Sequence, residues 1–394
     1  MLFYGWFCVS INSHAQRVPY NISLEKEISN VKPTGLKEIG GTITYIPLET
    51  SKECLLGDIS KGKIVVTDTH IAVWYWNQLV LFDASGNFIS EIGRSGRGPG
   101  EYLGVWDYCF SLDGRTIYLL TYSDYRVLQY DVSGKFINSF KINGLNPVTI
   151  LPLKDNLFVF HPTNQPIQWD PVQHSLIISD LQNNQQKTYP NYHKLTMEQS
   201  GFMMLGAAGA SFYSYRGNIR FRELSADTLF TVTEKGLLPY AVFQLGKKLM
   251  PVEILVPANA RRGDGTINED RVLSAYEGKF FVTKIREDID NLYFTLYDWR
   301  KYFFGYYNKQ RNSVKVIGAE GFQNDIDGGL PFFPRYAYND ILVSLVDAFD
   351  LREHVLKSNA TEMRRLYGQK YDDLVKLAKS LDDESNPVVV LVKK

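Results

Sequence analysis

Leu81-Phe82-Asp83-Ala84-Ser85-Gly86-Asn87-Phe88-Ile89 and Gln129-Tyr130-Asp131-Val132-Ser133-Gly134-Lys135-Phe136-Ile137 are two copies of one unit. Asp, Ser, Gly, Phe and Ile recur at one fixed offset, which marks an internal repeat. Each copy reads as a strand ending on an aromatic, a turn made by Asp, Ser and Gly, and a returning strand. Weaker echoes stand at Ile178-Ser179-Asp180-Leu181-Gln182-Asn183 and at Tyr306-Tyr307-Asn308-Lys309-Gln310-Arg311-Asn312. There Asn replaces Gly at a position expected to need positive φ, and Asn is the next most tolerant residue.

A second strand type precedes each copy. Lys63-Ile64-Val65-Val66-Thr67-Asp68, Thr116-Ile117-Tyr118-Leu119-Leu120-Thr121 and Asn156-Leu157-Phe158-Val159-Phe160 are examples, and the series continues over 218–224, 279–285, 291–297 and 340–345. These runs are short, β-branched or aromatic, and bounded by Gly, Asn, Asp or Pro. So many short strands with no helix between them predict an all-β repeat architecture of about six four-stranded units. The blades are placed near 58–93, 105–142, 148–190, 203–246 and 279–318, with a sixth assembled from 325–347 and both chain ends.

Pro387-Val388-Val389-Val390-Leu391-Val392 is an isolated β-rich run, as is Thr42-Ile43-Thr44-Tyr45-Ile46-Pro47-Leu48. Pairing the two in one blade closes the ring and leaves only short protected edges. The predicted fold class is therefore all-β: a six-bladed β-propeller closed by N- and C-terminal strands, with a small α-helical insertion near the C-terminus. One or two inserted helices are expected over 350–382, where Leu351, Val355, Met363, Leu366, Tyr371, Leu374, Val375 and Ala378 fall at helical spacing behind Asp350 as N-cap. The apolar stripe is expected to lie on the propeller.

Composition narrows the function. Lys plus Arg equals Asp plus Glu at 43 each, so no global field draws the chain to nucleic acid or anionic lipid. Aromatics make up 14%, in keeping with pleated, half-buried surfaces. The three cysteines form no CxxC pair or Cys/His cluster, which argues against structural zinc. Cys54 and Cys109 are expected as buried free thiols, with pairing after export as the alternative. The apolar run over 2–11, followed by Ser13-His14-Ala15, reads as a signal peptide over 1–15 cleaved after Ala15, although no Lys or Arg precedes Arg17. Cys8 follows Trp6 and Phe7, where a lipidation signal needs small residues. No other segment is suited to crossing a bilayer.

Ile92-Gly93-Arg94-Ser95-Gly96-Arg97-Gly98-Pro99-Gly100-Glu101-Tyr102 closely resembles the signature of the six-bladed β-propeller proteins abundant in Bacteroidetes cell envelopes, relatives of NHL-repeat and TolB-like propellers. Further matches are Ile46-Pro47-Leu48-Glu49-Thr50, Ser225-Ala226-Asp227-Thr228-Leu229-Phe230, Leu245-Gly246-Lys247-Lys248, Asn324-Asp325-Ile326-Asp327-Gly328-Gly329 with Pro331, and Asn386-Pro387-Val388-Val389-Val390-Leu391-Val392-Lys393. They span nearly the whole chain after the leader. The resemblance implies a secreted or lipid-anchored envelope protein, usually without an assigned reaction; the chain departs from many members in lacking a lipidation cysteine.

The glycine-rich stretch lacks the Gly-Lys-Ser/Thr of a P-loop and the following helix of a dinucleotide fingerprint. It reads as a tight inter-blade crossing. Arg94, Arg97, Glu101 and Tyr102 are the candidate ligand contacts, with Arg94, Arg97 and Glu101 projecting toward the channel mouth, where arginines hold a carboxylate, phosphate or sugar hydroxyl. The plainer alternative is that Arg97 and Glu101 pair with neighbouring blades and only hold the loop. Asp325 and Asp327 look like the start of a calcium loop, but no closing Glu follows and an Asp-stabilised turn is the better reading. The histidines show no HExxH spacing, and no GxSxG elbow occurs. Trp74 and Trp76 should share one strand face and pack between blades, with sugar stacking as the alternative. Arg262-Gly263-Asp264 is a chance tripeptide in a charged loop.

These readings converge on an exported, periplasmic or cell-envelope-associated binding module. Its expected ligand is a small molecule, a glycan or an envelope protein at the channel mouth. No cofactor, metal, catalytic residue or nucleic-acid partner is expected, and contact with the envelope is peripheral. The alternatives are a propeller enzyme of the lactonase, lyase or sugar-dehydrogenase type, or a structural scaffold; the fold alone does not choose between them.

Overall fold

Asp83 Oδ1 accepts from the amides of Ser85 and Asn87 at 2.8 and 2.9 Å, and Asp131 Oδ1 accepts from Ser133 and Lys135 at 2.8 and 3.1 Å. The repeated turn is thus tied by its aspartate, and Gly86 and Gly134 supply φ of 90° and 86°. In the decayed copy Asn312 takes φ 49°, the substitution expected from the sequence. The computed structural model describes residues 19–394 apart from 58–61, 76, 123, 143–145, 155, 163–173, 183, 192–210, 224–225, 252–267 and 299. The expected leader with Cys8, and Trp76, His193 and Arg262-Gly263-Asp264, lie outside the described residues.

Six antiparallel sheets follow one another along the chain, at 63–91, 105–141, 147–190, 211–244 and 281–317, with the sixth built from both ends. We number them blades 1 to 6. Their inner strands are Lys63–Val66, Val105–Phe110, Pro147–Lys154, Ser211–Tyr215, Phe281–Glu287 and Tyr336–Tyr338. Blade 6 runs outward from Tyr336–Tyr338 through Ile341–Val346 and Val388–Lys393 to Thr42–Pro47. The predicted closure is present in full register, from Thr42 opposite Lys393 to Pro47 opposite Val388.

The strands read as nearly continuous apolar runs because both faces of every blade are covered. In blade 1, Ile64, Val66, Ile71 and Val73 face blade 6, whereas Val65 and Ala72 face blade 2. Equivalent apolar layers separate each later pair of blades around the ring. A fully buried aliphatic or aromatic side chain contributes about 1.5–3 kcal/mol, so these layers hold the ring shut.

Three features depart from the sequence reading. Tyr20–Ser23 adds a fifth, parallel strand to the outer edge of blade 4, pairing with Leu237–Gln244. The chain then bridges to blade 5 at Val31 and Val316 before entering blade 6, so the N-terminal segment belts the outside of the ring. Its Tyr20 and Ile22 are buried and Asn21 and Ser23 exposed, the alternation of a half-covered strand. Second, helix α1 (Glu269–Tyr276) was not expected; Asn268 caps it by accepting from the Arg271 amide.

Third, the insertion holds three helices, α2 (Ala348–Lys357), α3 (Ala360–Tyr367) and α4 (Gln369–Ser380). The N-cap is Asp347, which accepts from Phe349, and Asp350 sits in the first turn, where an acid favours the helix dipole. Leu351, Val355, Tyr371, Leu374 and Ala378 form a core with Val388 of blade 6. Leu366 is exposed, because α3 turns Ala360, Met363 and Tyr367 toward that core and leaves Leu366 on its other face. Among the described residues no helix is long and apolar enough to cross a membrane. Cys54 and Cys109 are buried and free.

Candidate functional site

Within each antiparallel blade, the connections between second and third strands emerge at the same end as the crossings to the next blade. The three-helix insertion therefore shares one face of the ring with those crossings, and His354 Nε2 lies 3.1 Å from the Gly328 carbonyl of one of them. The mouth of the central channel on this face is where the inner strands begin.

Hydrogen bonds link consecutive inner strands near this mouth. Lys63 pairs with Asp107 and donates to the Tyr108 carbonyl at 2.8 Å, while Asp107 Oδ2 accepts from the Ile150 amide at 3.0 Å, tying blades 1, 2 and 3. The Ile285 amide donates to Ser211 Oγ at 3.4 Å between blades 5 and 4. Arg286 Nε donates to the Arg335 carbonyl at 2.8 Å, and Arg335 Nη2 reaches the Gly62 carbonyl at 3.1 Å, joining blade 5 through blade 6 to blade 1.

Blade 5 carries the most unusual inner strand. Its register slips between Thr283, opposite Thr295, and Arg286, opposite Tyr293, so one extra residue is accommodated. Lys284 sits in this bulge at φ 49° and is exposed, while its neighbour Ile285 is fully buried. Bulges re-aim side chains, and a non-glycine residue at positive φ persists only where its surroundings hold it. Desolvation, then Arg335 and Arg286, hold the Lys284 amine below its ordinary pKa. Burial, and to a lesser degree Arg335, also lowers Arg286, against the opposing influence of Tyr213 and Tyr336. The carboxylates on the inner strands are engaged elsewhere. Asp107 holds Lys63, and Glu287 is fully buried between blades 4 and 5 with Tyr213 at 3.0 Å and Arg220 at 3.4 Å.

The residues predicted from the glycine-rich stretch lie between blades 1 and 2. Arg94–Ser95 pairs in parallel with Glu101–Tyr102. Glu101 accepts from Arg94 Nε and from the Gly98 amide, each at 2.7 Å, and these two donors hold its carboxyl below the usual range. Tyr102 is buried in the core between the two blades and donates to the Ile92 carbonyl at 3.2 Å. Arg126 Nη2 and Tyr130 Oη of blade 2 donate to the carbonyls of Glu101 and Gly100 at 3.1 and 2.6 Å. Arg94 and Arg97 face solvent, whereas Glu101 and Tyr102 are occupied in holding the loop.

The aspartates at 325 and 327 build a turn, in which Asp327 Oδ1 accepts from the Gly329 amide at 3.0 Å and from Tyr45 Oη at 3.2 Å. Asp325 Oδ1 accepts from the Lys37 amide at 2.9 Å. Among the described residues no three His, Cys, Asp or Glu side chains converge as a metal site would require. Lys284, Arg286 and Arg335 escaped the sequence reading because they carry no motif; the only local signal was a lysine interrupting an apolar run.

Solved structures share the architecture. A candidate exported protein of Bacteroides fragilis NCTC 9343 superposes with a TM-score of 0.71 at 17% identity, covering 96% of this chain and 99% of its own. A member of the DUF4221 family from Bacteroides vulgatus ATCC 8482 gives 0.51 at 11% identity, covering 90% and 97%. No curated protein matches the chain. A family model does match, over residues 19–393, and the chain belongs to that family, a domain of unknown function designated DUF4934.

Proposed function

We propose that this propeller is an exported binding module of the cell envelope, related to NHL-repeat and TolB-like propellers, that takes a small molecule, glycan or protein at the channel mouth beside the helical insertion. The observation that carries this reading is the strained, solvent-facing Lys284 on an inner strand whose other residues are buried except the half-buried Arg286. A residue kept at positive φ to point a charge at an opening fits a ligand contact better than a packing role. The neighbour of the same fold, described as a candidate exported protein, supports the location. Arg94 and Arg97 remain the solvent-facing positions of the glycine-rich loop, available to a large ligand that reaches across blades 1 and 2.

Native mass spectrometry against neutral oligosaccharides, acidic oligosaccharides and peptides, followed by hydrogen exchange on any complex, tests the site. Protection is expected at Lys63–Val66, Phe281–Glu287 and Tyr336–Tyr338. Protection confined to the outer strands defeats the channel-mouth reading. For location, N-terminal sequencing of the protein secreted from a bacterial host is expected to begin at Gln16; an uncleaved, cytosolic product contradicts export.

A further inference from the structure

An aromatic pair stands at the same mouth on blade 2. Trp106 is the second residue of the inner strand Val105–Phe110, and its neighbour Asp107 ties Lys63 to Ile150 there. Tyr122 follows the second strand, Thr116–Thr121, in the connection that emerges on that face. The two ring centroids lie 4.6 Å apart with their planes tilted by 57°. Trp106 is half-buried against the layer between blades 2 and 3, whereas Tyr122 leaves 51% of its surface to water.

The exposed ring is held in place. The Tyr122 amide donates to the Gly104 carbonyl at 2.8 Å, and a Cβ at Gly104 would lie 3.3 Å from Tyr122 Cβ, so the glycine gives the tyrosine a close seat. Thr121 Oγ1 donates to Asp124 Oδ1 at 2.6 Å and accepts from the Arg126 amide at 2.8 Å, and Arg126 pairs with Asp124. Fixing a side chain before a ligand arrives lowers the ordering cost of binding. Packing alone gains little here, because a ring that keeps half its surface in water forgoes much of its burial energy. The surroundings select the ligand. Asn77 is exposed, and its Oδ1 would lie 3.7 Å from the same Cβ at Gly104. Asn77, Asp124 and Arg126 together carry no net charge. Two rings match one sugar unit in size, far below the roughly 800 Å² per partner of a stable protein interface.

We propose that Trp106 and Tyr122 form a stacking platform for one ring of a neutral glycan. Resting on the binding-module reading, this proposal names the ligand class and places its contact on blade 2. The C–H face of a pyranose carries partial positive charge and settles on the negative face of an aromatic ring. Its hydroxyls then point outward, where an amide such as that of Asn77 both donates and accepts.

Isothermal titration with cellohexaose, xylohexaose, mannohexaose and chitohexaose tests the proposal. At least one is expected to bind the wild-type protein, with the same affinity at low and high salt because no charge is screened. Tyr122→Ala removes the exposed ring and is expected to weaken binding about tenfold while moving Tm by no more than about 3 °C. Tyr122→Phe keeps the ring and is expected to bind within about twofold of wild type. The bound sugar is expected to change tryptophan emission, and Trp106→Phe to lose most of that change, which a purely structural role does not predict. Failure of all four oligosaccharides to bind, or unchanged affinity in Tyr122→Ala, overturns the proposal. A loss in Tyr122→Phe as large as in Tyr122→Ala assigns the contact to the hydroxyl and overturns stacking. An acidic oligosaccharide or a peptide bound equally well by wild type and Tyr122→Ala, with no neutral sugar bound, removes the platform and leaves the binding module in place. Absence of any ligand across the wider screen removes both.

Discussion

Asn386 Oδ1 accepts from the Leu56 backbone amide at 2.7 Å, across 330 residues of sequence. The same side chain donates from Nδ2 to the Glu49 and Cys54 carbonyls at 2.6 and 2.7 Å, and its own amide donates to Thr50 Oγ1 at 2.7 Å. One buried asparagine therefore fastens the last strand of the ring to the crossing that leads into blade 1. Asn386→Ala leaves the buried Leu56 amide without its acceptor and takes a donor from the Glu49 and Cys54 carbonyls, the latter keeping the Ser51 amide at 3.3 Å, so a loss of about 1–3 kcal/mol is expected. Urea denaturation measures it; a change below about 0.5 kcal/mol, the range of ordinary surface substitutions, contradicts the staple.

Glu287 is the hinge of the polar contact between blades 4 and 5. It is fully buried and meets Tyr213, Tyr240, Arg220 and Lys309. Removing it strands two buried cations, and Glu287→Ala is expected to destabilise by about 3–5 kcal/mol. The double variant Glu287→Ala/Lys309→Met should recover part of that loss, because one of the stranded charges goes with it. Thermal unfolding of the single and double variants, compared as a cycle, checks the coupling.

Gly100 combines φ 71° with a position where a Cβ meets Phe136 Cγ at 2.7 Å. Gly100→Ala is expected to be destabilised by about 1–3 kcal/mol through strain and overlap. Gly114, at φ 71° with open space around it, provides the control: Gly114→Ala carries only the backbone term. Equal losses at the two sites mean that the glycine-rich loop is not packed as described.

Glu223 follows the second strand of blade 4, and desolvation raises its carboxyl to about 7. The folded state therefore holds its proton more tightly than the unfolded chain does. Between the ordinary carboxyl pKa and about 7, the folded state binds more protons, and stability falls as pH rises. Glu223→Gln should remove this slope and be more stable than wild type at pH 8. Chemical denaturation from pH 5 to 8 checks it; parallel curves for the two proteins contradict the assignment.

The repeat, blade boundaries and ring closure were legible in the sequence because each is written in neighbouring residues. Asp83 and Asp131 tie their own turns, and strands covered on both faces need apolar residues at nearly every position. The insertion was legible through its spacing, but its true cap, Asp347, was obscured by a second aspartate three residues on. Nothing local announced that Tyr20–Ser23 would pair in parallel with blade 4, since an edge strand accepts any partner of suitable alternation.

The functional residues divide the same way. The glycine-rich stretch stood out because unusual backbone conformations demand unusual residues, yet that signal also describes a loop packed between blades. Tyr102 and Glu101 are engaged there in holding it. Lys284 and Arg335 are 51 residues apart in sequence and become neighbours only when blades 5 and 6 close around the axis. Sequence by itself determined how many blades form and how the ends meet, since these follow from local alternation and turn chemistry. Only the tertiary structure decided which charges become neighbours, because electrostatic neighbours are chosen by the ring and not by the chain.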